Sequence, residues 1–273
     1  MIEGDHPMTK IENIKKIIKA ITRDPKCLIR LIDDESFYRD YILEKYGYDN
    51  GLPTIDFLEL FPHFNETVEP YSFLEGTSYP LDLALLKALA KSYDNCRYLE
   101  IGTWRGESVA NVAKVAKECV TIDLPEETIR DQVKSESVIS NMRFFSRNLV
   151  NVKHISHDSR KLDTSKLGKF DLIFVDGDHS YENVEIDTRN VFNLLRNNRS
   201  TIVWHDYGFT PEKVRYSVLA GILDGCSSKF HPNIYHVSNT LCAIYTTGSY
   251  RTTFPIFPQL PNKYFSIQIS GNK

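Results

Sequence analysis

Tyr98-Leu99-Glu100-Ile101-Gly102-Thr103-Trp104-Arg105-Gly106 is the stretch on which the fold turns. A β-rich run carrying an acid passes through two glycines, four residues apart, into a helical pattern. Glycine lets backbone approach a neighbour or ligand with no Cβ in the way. From Leu81 onward the same alternation continues, with helices at 81–92, 106–117, about 126–149, about 180–197 and 211–224. Between them lie strands at 97–102, 118–123, 151–156, 170–175 and 200–205, followed by 234–237 and 241–246. Helices alternating with short apolar strands predict a parallel sheet covered on both faces. Only Ser238-Asn239-Thr240 separates the final two strands, short enough for a hairpin, so the last of the seven runs antiparallel.

The sequence ahead of this region reads differently. Thr9-x-x-Glu12 is a capping box, and Ile11, Ile14, Ile17, Ile18 and Ile21 recur at helical spacing until Asp24-Pro25. A second helical pattern runs from about Pro25 to Tyr46, and a Pro- and aromatic-rich passage from Tyr48 to Tyr79 has no clear period. The expected division is a helical cap or lid over 1–80, a catalytic domain over 81–250 and a tail over 251–273. Tyr71, Phe73 and Tyr79 are candidates for a lid or a dimer contact, with core packing as the alternative for each; a homo-oligomer is compatible with this surface.

With 273 residues, 41% of them hydrophobic and a formal net charge of −3, the chain can bury a sizeable core and has no global attraction for phosphate backbones. No nucleic acid partner is expected. The five cysteines form no Cys-x-x-Cys pair, which favours reduced thiols over zinc binding. No stretch approaches the ~20 apolar residues of a membrane span, so the expectation is a cytoplasmic protein with no membrane partner.

Ligands in open α/β sheets bind beyond the carboxyl ends of the strands. The first such end lacks the Gly-x-Gly-x-x-Gly spacing of a dinucleotide site, and Glu100 beside it would oppose a phosphate yet favour an ammonium. That favours S-adenosylmethionine over NAD. Asp123 closes the next strand and is placed to accept two ribose hydroxyls, a role it could also play for NAD.

On these residues the chain resembles the class I S-adenosylmethionine-dependent methyltransferases over about 81–246, which implies a Rossmann-like α/β fold. By that resemblance Gly102, Thr103, Gly106 and Ser108 hold the methionine part, and His157-Asp158-Ser159 flank the adenine.

Two further strand ends carry the chemistry: Asp176-Gly177-Asp178-His179-Ser180-Tyr181 and His205-Asp206. Methyl transfer from a sulfonium is an in-line displacement, and an aliphatic hydroxyl must lose its proton to act as nucleophile. Asp176 and Asp206 can hold a divalent cation, Mg²⁺ or Mn²⁺, while His179 is a natural base. Asp176 alternatively faces the cofactor without metal, and Asp178 is expected as a helix cap in preference to a ligand. The arrangement resembles the metal-dependent macrocin-type sugar O-methyltransferases. By that resemblance His205 stands where the family usually has a metal-binding carboxylate, either as a ligand itself or as a histidine held behind the site. The implied acceptor is a small molecule or glycan hydroxyl. Open alternatives are a metal-independent O- or N-methyltransferase, a non-catalytic cofactor-binding protein and an NAD oxidoreductase.

Overall fold

A computed structural model describes residues 10–23, 35–254 and 257–271. The strands are β1 (Thr54–Ile55), β2 (Arg97–Ile101), β3 (Glu118–Asp123), β4 (Val152–Ser156), β5 (Leu172–Val175), β6 (Thr201–Trp204), β7 (Gly208–Thr210), β8 (Lys213–Val214), β9 (Ile234–Val237), β10 (Ala243–Tyr245) and β11 (Thr252–Thr253). The helices are α1 (Lys10–Arg23), α2 (Glu35–Tyr46), α3 (Phe57–Leu60), α4 (Pro80–Lys91), α5 (Glu107–Ala113), α6 (Glu126–Val133), α7 (Glu136–Asn141), α8 (Tyr181–Phe192) and α9 (Tyr216–Gly225).

Nine strands form one sheet in the order β11-β1-β9-β10-β6-β5-β2-β3-β4. Strands β2 to β6 are mutually parallel, and β10 runs antiparallel to both β6 and β9, as the short hairpin predicts. All seven predicted strands are present. β1 and β11 add two residues each at the far edge, too little sequence to show a period.

The central strands are buried on both faces, which is why they read as nearly unbroken apolar runs. Leu99, Ile101, Ile173, Val175, Ile202 and Trp204 pack on one face, where α8 and α9 lie. Tyr98, Leu172, Phe174 and Val203 pack on the other, with residues of α4 and α5. The chain lays down β2, β3 and β4 outward in one direction, then returns to place β5 and β6 on the other side of β2. This reversal opens a crevice at the carboxyl ends of β2 and β5, the natural ligand position in such sheets.

Two helix expectations need correction. The helix expected over about 126–149 is two short helices followed by turns; Lys134 adopts a left-handed conformation between them, and neither helix buries a side chain that would hold a longer one in place. The helix expected from 211 begins at Tyr216, because β7 and β8 form a small hairpin around Pro211. The Thr9 capping box, the Asp24-Pro25 break, Cys27 and the start of the second helical pattern lie outside the described residues.

Helix α2 is pinned along α9. Glu35 accepts hydrogen bonds from the N–H groups of Tyr216 and Ser217 and from Ser217 Oγ (2.6 Å), so it caps the N-terminus of α9. At the other end Asp224 accepts from Tyr41 Oη (2.7 Å), Lys45 Nζ (2.7 Å), Tyr181 Oη (2.8 Å) and Tyr46 Oη. The C-terminal tail returns to the β1 edge, where Lys263 pairs with Asp56 and the Phe265 ring meets Phe57 and Phe64.

Candidate active site

A cleft of about 350 Å³ opens at the predicted crevice. Ile101, Ile122, Leu124, Ile129 and Met142 give it apolar walls, while Thr103, Asp123, Asp158, Ser159, Asp176, Asn183 and Asp187 supply polar groups. The turn after β2 is built by left-handed backbone: Gly102 has φ +84°, Trp104 +47° and Gly106 +83°. The glycines serve the protein's own packing. A Cβ on Gly102 would collide with the Asp176 carbonyl and lie 2.7 Å from Gly177 Cα, and one on Gly106 would collide with Ser146. Gly102 thereby brings the ends of β2 and β5 together under the cleft.

The acids expected around the cofactor are not equally placed. Asp123 accepts the Thr103 N–H (2.7 Å) and pairs with Arg143 Nε (3.3 Å), which fixes its carboxylate in the cleft wall. Asp158 lines the same cleft but is held by Arg160 through two contacts, 2.9 and 2.8 Å. Glu100, Gly106 and Ser108 do not line it. Glu100 is fully buried on the Tyr98 face of β2 and accepts the Tyr98 hydroxyl through Oε2 (2.6 Å), while its Oε1 has no hydrogen-bond partner among the described residues. Burial pushes its carboxyl well above the usual range, and the residue lies beneath the turn and not in the cleft lining. Asp187 was not anticipated. It lines the cleft one helical turn after Asn183, and burial raises its carboxyl to about 6. The available signal was two polar residues spaced i, i+4 on the stripe of α8 that buries Val184 and Val191.

Beside the cleft the ends of β5 and β6 meet. His179 Nε2 lies 3.0 Å from Asp206 Oδ2, and Asp206 sits at φ +54°, a strained conformation for a residue other than glycine. His205 Nδ1 lies 3.0 Å from Asp176 Oδ1 and 3.1 Å from Asp206 Oδ2, while its Nε2 faces Asp82 Oδ2 at 3.2 Å. Burial disfavours a charged His205 ring, but the three carboxylates outweigh it and hold its pKa well above the ordinary value. His205, expected either as a metal ligand or as a histidine held behind the site, has both ring nitrogens facing carboxylates, and with Asp82 and Cys242 it also forms a buried set of possible ligand atoms within 4.8 Å of one another. Asp82 itself was invisible as a site residue, being 123 positions away in sequence. It also accepts the N–H groups of Tyr79 (3.0 Å) and Leu241 (3.0 Å), tying α4 and the β9–β10 hairpin to the back of the site.

Burial likewise works against protonation of His179, yet the hydrogen bond to Asp206 and the nearby Asp176 raise its pKa. Burial would raise Asp206, but His179 and His205 hold it far below the usual carboxylate range. Arg215 Nη2 adds a cation 3.7 Å from Asp206 Oδ1. Asp176, His179 and Asp206 each offer a ligand atom, all within 4.8 Å of one another, a donor set that fits a small divalent cation. Asp178 accepts the Ser180 N–H (2.7 Å) just ahead of α8, whose N-cap is Ser180, and its side of the turn lines the cleft.

The aromatic passage before α4 is fastened near this site. Arg105 and Glu107, both buried and 3.1 Å apart, hold it from the turn side: Arg105 donates to the Glu75 carbonyl (2.9 Å) and Thr77 Oγ1 (2.6 Å), and Glu107 accepts from Ser72 Oγ (2.6 Å). Phe73 and Tyr79 remain exposed, as does Trp104 at the cleft.

Residues 99–207 match the family model of a methyltransferase domain. That span contains the turn after β2, Asp123, Asp176, His179 and the His205-Asp206 pair. An uncharacterized protein of Acanthamoeba polyphaga mimivirus is 28% identical over 200 residues, which is 69% of this chain and 87% of that protein. Among solved structures, an O-methyltransferase from Bacillus cereus in complex with S-adenosylhomocysteine is 18% identical with a TM-score of 0.44, covering 63% of this chain and 82% of that one. The YcgJ protein from Bacillus subtilis is 18% identical with a TM-score of 0.34; the match covers 46% of this chain and spans half, 50%, of that protein's length. Among the described residues no helix is long and apolar enough to cross a membrane.

Proposed function

We propose that this chain transfers the methyl group of S-adenosylmethionine to a hydroxyl of a small acceptor, a sugar or similar metabolite. The observation that carries this reading is the His179–Asp206 pair, 3.0 Å apart and adjoining Asp176 at the rim of the cleft.

S-adenosylmethionine supplies a methyl group on a positively charged sulfur, ready for in-line displacement. The apolar walls and Asp123, Asp158 and Ser159 accept the nucleoside, with Asp123 turned toward the ribose. Asp206 accepts the Nε2–H of His179 and so fixes the ring's tautomer, leaving Nδ1 to take the acceptor proton as the carbon–oxygen bond forms. Trp104 lines the cleft and gives the acceptor an aromatic wall. A divalent cation such as Mg²⁺ or Mn²⁺ would be held by Asp176 and Asp206, with His205 orienting both carboxylates from behind. It would supply Lewis acidity to an acceptor hydroxyl.

A metal-independent reading has one observation in its favour: His205, Arg215 and His179 already place three cationic or protonatable groups around Asp206. Calorimetry with S-adenosylhomocysteine and with NAD tests the cofactor; binding of NAD alone would overturn the proposal. Turnover with a panel of hydroxylated acceptors, before and after chelation, separates the metal readings. His179→Ala is expected to lose at least ~100-fold in kcat while keeping its affinity for S-adenosylhomocysteine.

A further inference from the structure

Helix α1 lies outside everything the methyltransferase reading uses. Ile14, Ile17 and Ile18 are 55, 55 and 58% exposed, and Ile21 is partly covered, so four isoleucines mark one stripe of the helix, and none of them is among the described residues that pack into the two clusters of the sheet core. Lys15, Lys16, Lys19 and Arg23 occupy the other side. Over its 14 residues α1 holds five basic residues against one acid, in a chain whose overall charge is −3. A helix of this length is marginal in water unless its apolar stripe is packed against something.

We infer that α1 is a peripheral anchor that lies in the interface of a membrane carrying anionic lipids, its isoleucine stripe among the acyl chains and its basic side toward the headgroups. Charge complementarity selects this occupant. A second copy of the same helix would bring two strongly basic surfaces together, and a nucleic acid would satisfy the lysines but leave the isoleucines in water. An anionic bilayer surface satisfies both sides at once. The helix is about 21 Å long, sufficient to lie along a surface and far short of spanning the hydrocarbon core. The expectation of no membrane partner rested on the lack of a spanning segment, a criterion that does not address a helix lying flat.

The test is cosedimentation of the full chain with phosphatidylcholine vesicles, with and without phosphatidylserine. Binding is expected to be at least tenfold stronger to the anionic vesicles and to weaken steeply with salt, at about fivefold for each basic side chain removed. The double variant Ile17→Asp/Ile18→Asp should lose binding by tenfold or more, and Lys15→Glu/Lys19→Glu should lose it on anionic vesicles. Both should keep the wild-type melting temperature and S-adenosylhomocysteine affinity, which shows that the fold is intact. Equal binding to neutral vesicles, no vesicle binding at all, or unchanged binding in the variants would each overturn the proposal. So would a solution dimer that Ile17→Asp dissociates without any vesicle binding, or RNA binding that competes the protein off vesicles.

Discussion

Gly102 and Asp187 show two ways in which a single residue sets the terms of the cleft. Gly102 is fixed by φ +84° and by the backbone of residues 176–177 directly beneath it. Gly102→Ala is expected to cost about 3 kcal/mol or more, through backbone strain and overpacking, and to weaken S-adenosylhomocysteine binding because the ends of β2 and β5 must part. Urea unfolding and calorimetry measure the two effects; an unchanged urea midpoint would contradict the close approach. Asp187 acts through its charge. Its carboxyl is raised from 3.8 to about 6, so the folded protein holds the proton more tightly than the unfolded chain does. Its ionisation therefore opposes folding as the pH rises from about 4 to about 6, and the opposition is complete above that window. Asp187→Asn should stabilise the protein by roughly 1–3 kcal/mol at pH 7.5 and by progressively less as the pH falls toward 4, as followed by urea unfolding across that range. Residues adjacent in sequence to a strand end, such as Asp123, Asp176 and His179, were readable because the sheet geometry assigns them a direction. His205 was readable only as a histidine near the site, since its fate depends on Asp82, which a different helix carries to it.

At the scale of elements, the parallel strands were legible because burial on both faces forces long apolar runs, and the hairpin because three residues can connect only neighbours. The failures have the opposite cause. β1 and β11 are two residues long, and α6 and α7 bury nothing, so hydrophobic periodicity had no core contact to report. Helix α2 depends on specific pins as much as on apolar contact. Asp224 receives three tyrosine hydroxyls and a lysine, and its side chain is only 8% exposed. Asp224→Ala leaves those donors without their shared acceptor and should cost about 2–4 kcal/mol. Hydrogen exchange should locate the effect, with faster exchange over 35–46 and near-native protection in β2, β3 and β5. Uniform loss of protection throughout the sheet would show instead that α2 and the sheet open together.

For the whole molecule, the consequential feature is that segments from opposite ends of the chain close the same sheet edge. β1 comes from the passage before the repeating helix–strand pattern, and β11 comes from the tail after it; they pair with each other beyond β9. The tail adds the Lys263–Asp56 pair, the Phe265 ring against Phe57 and Phe64, and a hydrogen bond from the Arg251 N–H to Glu59 Oε1 (2.8 Å). Removing residues 251–273 would strip this cover and leave Thr54 and Ile55 with an unpaired backbone edge, a template for pairing with another chain. The shortened chain is expected to lose about 2–4 kcal/mol of stability, chiefly from the half-buried Phe265 and the lost ladder bonds, and to self-associate with rising concentration. Its affinity for S-adenosylhomocysteine should stay within a few-fold of the full chain, because the cleft lies at β2, β3 and β5, on the other side of the β6–β10–β9 strands from this edge. Urea unfolding, light scattering and calorimetry on the two chains check the three parts. Phe265→Ala should reproduce a fraction of the stability loss without the association, since β11 remains in place to cover the edge; association in that variant would mean that the aromatic cluster, not the strand, guards it.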